Sequence, residues 1–228
     1  MRQDRIWAVV TAAALLLLGG WTFLPELLPS AGPLVGTCVV IDAGHGGQDG
    51  GASGNGTAEA QLNLQVALQL EGLLRQAGAE VVMTRGDEQA LDAENGFSKN
   101  QDMRARRRVI SGSGAQAVVS VHMNNYPADS SVHGPQVFYQ QGDAAGKSLA
   151  ECIQRALLTV EGQNHRVPKA GDYYVLDSGV SGVIVECGFL SSASDVAKLT
   201  REDYQRQLAW AIYTGLTDYL ALSGGGSP

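Results

Sequence analysis

Three cysteines, Cys38, Cys152 and Cys187, are too few and too odd in number to make a disulfide framework in a chain of 228 residues. Cys38 and Cys187 fall in apolar, strand-like runs, and all three are read as small buried hydrophobes. Basic residues are also scarce: 16 lysines and arginines stand against 23 acidic residues, a net charge of −7. A nucleic-acid-binding surface needs the opposite balance, so that class is set aside. Only 17% of residues are charged while 44% are apolar, which argues against wholesale disorder and for one domain with its own core. No internal repeat is evident.

What the chain does have begins with an uncharged stretch, Ile6 to Leu24, preceded by Arg2 and Arg5. It is long enough to cross a bilayer as a helix. The basic flank predicts a cytoplasmic N-terminus and an exported remainder. A cleaved signal peptide is the alternative, but "PELLPSAGPLVG" shows no clean A-x-A site, which favours an uncleaved anchor. Pro25, Pro29 and Pro33 separate this segment from the rest of the chain. Residues 1–35 are therefore read as anchor or signal plus linker, 36–222 as the main domain and 223–228 as a flexible tail.

Within the domain, "TCVVID" is a short β-branched run without polar alternation, as a central parallel strand requires. Leu62, Val66, Leu70, Leu73 and Leu74 recur at helical spacing, with Gly78 as a stop. "AEVVMTR", "AQAVVSVHMN", "GPQVFYQ", "YYVLD" and "GVIVECGF" read as strands. Arg104–Ile110, Gly146–Val160 and Asp203–Leu222 read as helices. This alternation predicts a three-layer αβα fold around a mostly parallel twisted sheet of about six strands. In such sheets functional groups collect at the carboxyl ends of the strands.

Those strand exits carry ionisable residues. His45 follows "VVIDAG", His122 lies in "VVSVHMNN", and Glu186 lies in "GVIVECGF"; Glu59 sits just before the helix expected from Leu62. Two imidazoles and a carboxylate, with water in the fourth place, form a common catalytic zinc set. The glycines after His45 allow a sharp turn and keep bulk away from such a centre. The loop lacks the lysine of a P-loop, and no short H-x-x-x-H spacing fixes a metal geometry. Glu59 as a helix-start carboxylate and Glu186 as an ion-paired residue therefore stay open on spacing alone.

At these residues the chain resembles the zinc-dependent N-acetylmuramoyl-L-alanine amidases of the amidase 3 type. The family's D-x-G-H-G-G is met by "IDAGHGG", its E-K-x-x-N-L by "EAQLNL", its S-x-H-x-N by "SVHMN" and its V-E-x-G-F-L-S-N by "VECGFLSS". The resemblance spans nearly all of Thr37 to Leu222. It implies that His45, Glu59 and His122 bind one Zn²⁺ and that Glu186 is the catalytic glutamate. Two positions depart: Ala60 replaces a lysine and Ser192 an asparagine. "DMRARRRVISGSGAQAVVSVHMN", "RVPKAGDYYVL" and "VECGFLS" are most similar to the germination-specific spore-cortex amidases, whose action lets a muramic lactam form. The same catalytic domain also serves in cell separation and lysis.

The expected reaction is hydrolysis of the amide joining N-acetylmuramic acid to L-alanine, with zinc acidifying water and Glu186 moving the proton. Asp42 either orients an imidazole or caps the glycine loop. Asn124 and Arg85 either touch substrate or stabilise loops. His133 and His165 are read as ordinary exposed histidines. Arg104, Arg106, Arg107 and Arg108 are read as a solvated face, with anionic wall polymer, lipid or a protein partner as alternatives. Expected partners are peptidoglycan, an accessory activator protein and the membrane, and the expected location is the outer face of the membrane, the wall or the spore cortex. Two competing functions remain: a zinc peptidase acting on a peptide end, and a non-catalytic wall-binding protein.

Overall fold

Val39, Val40 and Ile41 are wholly buried and form the centre of strand β1 (Cys38–Ala43). The computed structural model describes residues 32–54, 56–91, 97–162 and 164–224. The Ile6–Leu24 stretch and residues 225–228 lie outside the described residues. Among those that are described, no helix is long and apolar enough to cross a membrane.

The chain runs from β1 through a hairpin, β2 (Ser53–Gly54) and β3 (Thr57–Ala58), into helix α1 (Glu59–Gln76) and strand β4 (Glu80–Met83). Helix α2 (Lys99–Gly112), β5 (Ala117–Asn124), β6 (Gln136–Gln140) and α3 (Ala144–Val160) come next. The last elements are β7 (Lys169–Gly171), β8 (Gly182–Phe189), α4 (Ala193–Leu199) and α5 (Glu202–Gly224). Six strands form one sheet in the order β4-β1-β5-β8-β6-β7. Every neighbouring pair is parallel except β6 with β8. The expected mostly parallel six-stranded sheet is thus present.

Side chains alternate across the strands, and that alternation divides the molecule. Val39 and Ile41, Val119 and Val121, and Val183 and Val185 face the large core beneath α1, α3 and α5. Val40, Val118 and Ile184 face the other way, onto a smaller core with Ile110 of α2. The second face continues along the same strands as Asp42, Ser120, His122 and Glu186, in register across the sheet: Asp42 is opposite Ser120, and His122 opposite Glu186. The polar ends of three apolar strands therefore meet on the α2 side.

Helix α1 shows how the large core is built. Leu62, Val66, Leu70 and Leu74 lie on one face and are buried, each contributing about 1.5–3 kcal/mol of apolar transfer. The helix ends where Gly78 takes a left-handed φ of 91°, and the N–H of Ala79 returns to the carbonyl of Leu74.

Several elements differ from the sequence reading. "YYVLD" is not a strand. Its chain turns, with the N–H groups of Leu176 and Asp177 both reaching the carbonyl of Tyr173. That turn drops Val175 and Leu176 into the small core, and the pairing strand comes earlier, at Lys169–Gly171. Helices α1 and α2 start sooner than their apolar spacing suggested, and α4 and the β2–β3 hairpin carried no signal. Ser192, in place of the family's asparagine, caps α4 by accepting from the N–H of Asp195. Cys152 and Cys187 are buried as expected, whereas Cys38 is only half-buried.

Candidate active site

His45 leaves β1 in a left-handed conformation, φ 62°, the sole non-glycine residue with positive φ among the described residues. Such a backbone persists only when its surroundings hold it. Here Gly46 and Asp49 exchange two backbone hydrogen bonds of 2.8 and 3.0 Å, and Arg106 Nη2 donates to the carbonyl of His45 at 2.5 Å. The closed turn presents Asp49 Oδ2 to His45 Nδ1 at 2.9 Å. His45 Nε2 then lies 3.2 Å from Glu59 Oε1.

Glu59, the first residue of α1, lies between two imidazoles. Its Oε1 is also 2.9 Å from His122 Nδ1, and its Oε2 accepts from the N–H of Ala52 at 2.8 Å. Asn63 Nδ2, one turn along α1, bridges Glu59 Oε1 (3.3 Å) and the carbonyl of Gly44 (3.1 Å). Burial alone would raise the Glu59 carboxyl; the bonds from His122 and His45 outweigh it and hold the group far below the usual carboxylate range. Burial likewise opposes charge on His45, and contact with Glu59 and Asp49 overrides it and raises that imidazole.

Two glycines make the gathering possible. A Cβ on Gly44 would lie 2.2 Å from His122 Cε1, and one on Gly51 would lie 2.6 Å from Glu59 Oε2 and 2.8 Å from His45 Cδ2. Neither ring nor carboxylate can occupy its place beside a larger residue.

The donor atoms of His45, Glu59 and His122 all lie within 4.8 Å of one another. Two imidazole nitrogens and one carboxylate oxygen are the kind and number of protein donors that open catalytic zinc sites use. Asp49 on the far nitrogen of His45 is the carboxylate partner such a histidine usually has. On chemistry and spacing the three side chains fit a divalent ion.

Glu186 completes the group from β8, beside His122 of β5. Its Oε2 is buried and has no hydrogen-bond partner among the described residues. Burial, with a smaller contribution from Glu59, pushes its carboxyl up to about 7 against the opposing pull of His122 and His45. A carboxyl poised near neutrality suits proton transfer in either direction.

Asp42 has a different place from either reading made for it. It accepts from Thr84 Oγ1 (2.7 Å), Ser120 Oγ (2.6 Å) and Arg106 Nη1 (2.7 Å), not from an imidazole or a loop N–H. Burial works against its charge, but Arg106 and the two hydroxyls keep it below the ordinary aspartate range. Arg106 is therefore not part of a solvated face. It is 2% exposed, is fixed by Asp102 and Asp42, and donates to the carbonyls of Ala43 and His45. Helical periodicity puts Arg106 on the side of α2 opposite Arg104 and Arg108, with the half-buried Arg107 on the flank, so a run of arginines splits between core and solvent.

Arg85 is buried and serves the loops: Nε reaches the carbonyl of Ala43, and Nη2 those of Gly44 and Ala60, each at 2.8 Å. Asn124 ties the ends of β5 and β8 together, its carbonyl accepting from the N–H of Leu190 at 2.8 Å. His133 and His165 are exposed, as expected. Asp49, Asn63 and Arg106 were not singled out individually from the sequence. Only the four-residue step from His45 to Asp49 offered a local clue.

A cleft of about 290 Å³ opens over this group, walled by Met103 of α2 and by Tyr173 and Tyr174. A larger groove of about 820 Å³ lies elsewhere, on the outer side of α1 and α5 beside Trp210. It holds no convergent set of titratable groups, so size alone does not mark the site.

The family profile described as N-acetylmuramoyl-L-alanine amidase matches residues 39–218. The germination-specific N-acetylmuramoyl-L-alanine amidase of Bacillus subtilis is 33% identical over 198 residues, 84% of this chain and 83% of that protein. The amidase LytC of the same organism is 34% identical over 192 residues, 82% of this chain but 36% of LytC. Among solved structures, the CwlD amidase from Clostridioides difficile in complex with the GerS lipoprotein matches with a TM-score of 0.78 and 37% identity, covering 82% of this chain and 99% of that one. The profile match covers most of the chain and includes all four residues of the gathered site, so this chain belongs to the N-acetylmuramoyl-L-alanine amidase family.

Proposed function

We propose that the chain is a zinc-dependent amidase that cleaves the bond between the lactyl group of N-acetylmuramic acid and L-alanine, and that it works in spore-cortex maturation. The observation that carries this reading is the Glu59 carboxylate set between His45 and His122, with Glu186 alongside, its buried Oε2 without a hydrogen-bond partner among the described residues. His45, Glu59 and His122 would hold the ion. When bound, zinc supplies Lewis-acid polarisation of the amide carbonyl and lowers the pKa of water.

The chain's own residues supply the rest. Glu186 Oε2 takes the proton of the attacking water and delivers it to the departing alanine nitrogen, so one carboxyl serves as base and then acid. Asp49 and the Arg106–Asp42 pair keep His45 oriented through both steps. The walls at Met103 and Tyr173 exclude bulk water from the amide. The products are a free stem peptide and a muramic acid with a free lactyl carboxylate, the group a lactam ring requires.

The cortex assignment is supported by 33% identity to the germination-specific relative across 84% of this chain and by the match to the CwlD structure at 37% identity. An accessory protein partner is part of the same reading, since CwlD was solved together with a lipoprotein. So is export, with residues 1–35 as the anchor or signal segment.

The test is metal analysis of the purified chain joined to mass spectrometry of digested muropeptides. The reading expects about one zinc per chain, intact stem peptides with a free L-alanine amine, and sugar bearing the lactyl carboxylate. Release of single amino acids from a peptide end would make the protein a peptidase. No release under any metal condition, with or without the partner protein, would leave it a wall-binding protein.

A further inference from the structure

Helix α2 leads out of the cleft to a second depression. Lys99 and Met103 line the cleft. One turn further, Arg104, Arg107, Arg108 and Ser111 line a hollow of about 250 Å³ together with Tyr174. These four helix residues fall at i, i+3, i+4 and i+7, on one face. Tyr174 belongs to both hollows, forming the wall between them.

The hollow is cationic on an acidic protein. Arg104 and Arg108 are exposed, and no acidic side chain among the described residues pairs with either. Arg107 lies with its guanidinium 5.0 Å from the centre of the Tyr174 ring, a cation–π contact that holds its orientation. Its ion pair with Asp177, 2.8 Å, is half-open to water, and such pairs exchange readily. With a net charge of −7, three arginines around one hollow next to the active cleft are a local reversal of sign.

We propose that the Arg104–Arg107–Arg108 hollow is a substrate subsite that binds carboxylates of the stem peptide while its alanine amide lies at the His45–Glu59–His122 centre. This rests on the amidase reading above. The stem is an acidic peptide: beyond the L-alanine comes an isoglutamate with a free α-carboxylate or, where amidated, a neutral carboxamide. Arginine forks match carboxylates in geometry as well as charge. The reach also agrees. Four to five residues of helix from Met103 to Arg107 and Arg108 rise about 6–8 Å, the span of about two residues of extended peptide. Neutral sugar has no charge to place there, and a lipid headgroup would have no reason to share a wall with the cleft.

The experiment compares two muropeptides, one with the free α-carboxylate and one with the carboxamide, on the zinc-loaded full chain and on the double variant Arg104→Gln/Arg108→Gln. The parent is expected to prefer the carboxylate stem by about tenfold in KM, the size of one or two charge-assisted contacts. That preference should shrink with added salt and fall to near unity in the double variant. Arg104→Lys/Arg108→Lys, which keeps the charge, should restore part of it. Thermal melting separates loss of folding from loss of binding, and if the double variant melts early the single variant Arg108→Gln is read instead. Equal KM values for the two stems in the parent would overturn the proposal. So would a preference that persists in the variants; the arginines would then serve an acidic protein partner or a membrane. If the parent releases no stem peptide from either substrate, the amidase reading itself fails, an outcome distinct from loss of selectivity alone.

Discussion

Arg106 Nη1 lies 2.7 Å from Asp42 Oδ1, with both side chains 2% exposed and 64 positions apart in the chain. The pair ties α2 to the end of β1. Asp102, Ser120, Thr84 and the carbonyls of Ala43 and His45 bond most of the pair's other donors and acceptors. A buried charge pair is tolerable only when satisfied in this way, and here the last of those bonds lands on the residue whose imidazole faces Glu59.

Removing one partner strands the other. Asp42→Asn is expected to lower stability by about 3–5 kcal/mol, read as a fall in the urea midpoint at unchanged slope. The His45 turn loosens with it, so zinc affinity measured by competition with a chelator should also fall. A variant with parental stability would mean that Arg106 finds its compensation elsewhere.

The same pair sets a direction for acid unfolding. Asp42 is held below the ordinary aspartate range in the folded protein. Its contribution is therefore complete above the unfolded-state pKa and disappears as pH falls through the folded one. Stability should decline steeply below about pH 4. The decline should be shallower in Asp42→Asn, as monitored by circular dichroism at stepped pH.

Glu186→Gln removes the carboxyl proposed to carry the proton and leaves the three donor atoms alone. Turnover is expected to drop by about 10²- to 10⁴-fold, with zinc content near that of the parent by elemental analysis. Burial penalises the charged carboxylate, so the metal-free variant should be no less stable than the metal-free parent at pH 8. Near-normal turnover would remove Glu186 from the reaction.

Gly51→Ala and Gly56→Ala form a matched pair. Both positions have left-handed backbones, φ 69° and 81°, so both pay about 1–2 kcal/mol for a side chain. Only at Gly51 does the new Cβ meet Glu59 and His45; at Gly56 it meets nothing within 4 Å among the described residues. Zinc affinity and activity should therefore fall sharply in Gly51→Ala, while Gly56→Ala loses stability alone.

Chelation tests the ion as a structural element. A metal that binds only the folded state at about a thousand times its dissociation constant adds about 4 kcal/mol. Stripping zinc should lower the melting temperature by several degrees, and restoring the ion should reverse it. A melting temperature indifferent to zinc would argue that His45, Glu59 and His122 do not hold it.

How much could be read beforehand varied with the range of the interaction. Helix α1 and the buried strands announced themselves through apolar spacing, because burial of one face acts residue by residue. "YYVLD" misled because a β-branched and aromatic run is favoured in strands generally, whereas this one plugs the face of a sheet beneath α2. The four arginines after Asp102 looked alike in the chain, yet a 100° turn per residue sends Arg106 inward and its neighbours outward. Nothing local in "DMRARRR" says which arginine will find Asp42.

The amino-acid order alone determined the kinds of groups and the elements bearing them: apolar strands ending in His122 and Glu186, a glycine-rich turn around His45, and Glu59 near the start of a helix. Whether those groups meet was decided by the tertiary structure. The parallel register of β1, β5 and β8 puts Asp42 opposite Ser120 and His122 opposite Glu186. A one-residue slip would turn each of these side chains to the other face. The folded surroundings then supplied what no sequence spacing encodes: burial raises the Glu186 carboxyl, while Arg106 and two hydroxyls lower Asp42 against its burial, because the energy of a charge depends on the groups the fold brings around it.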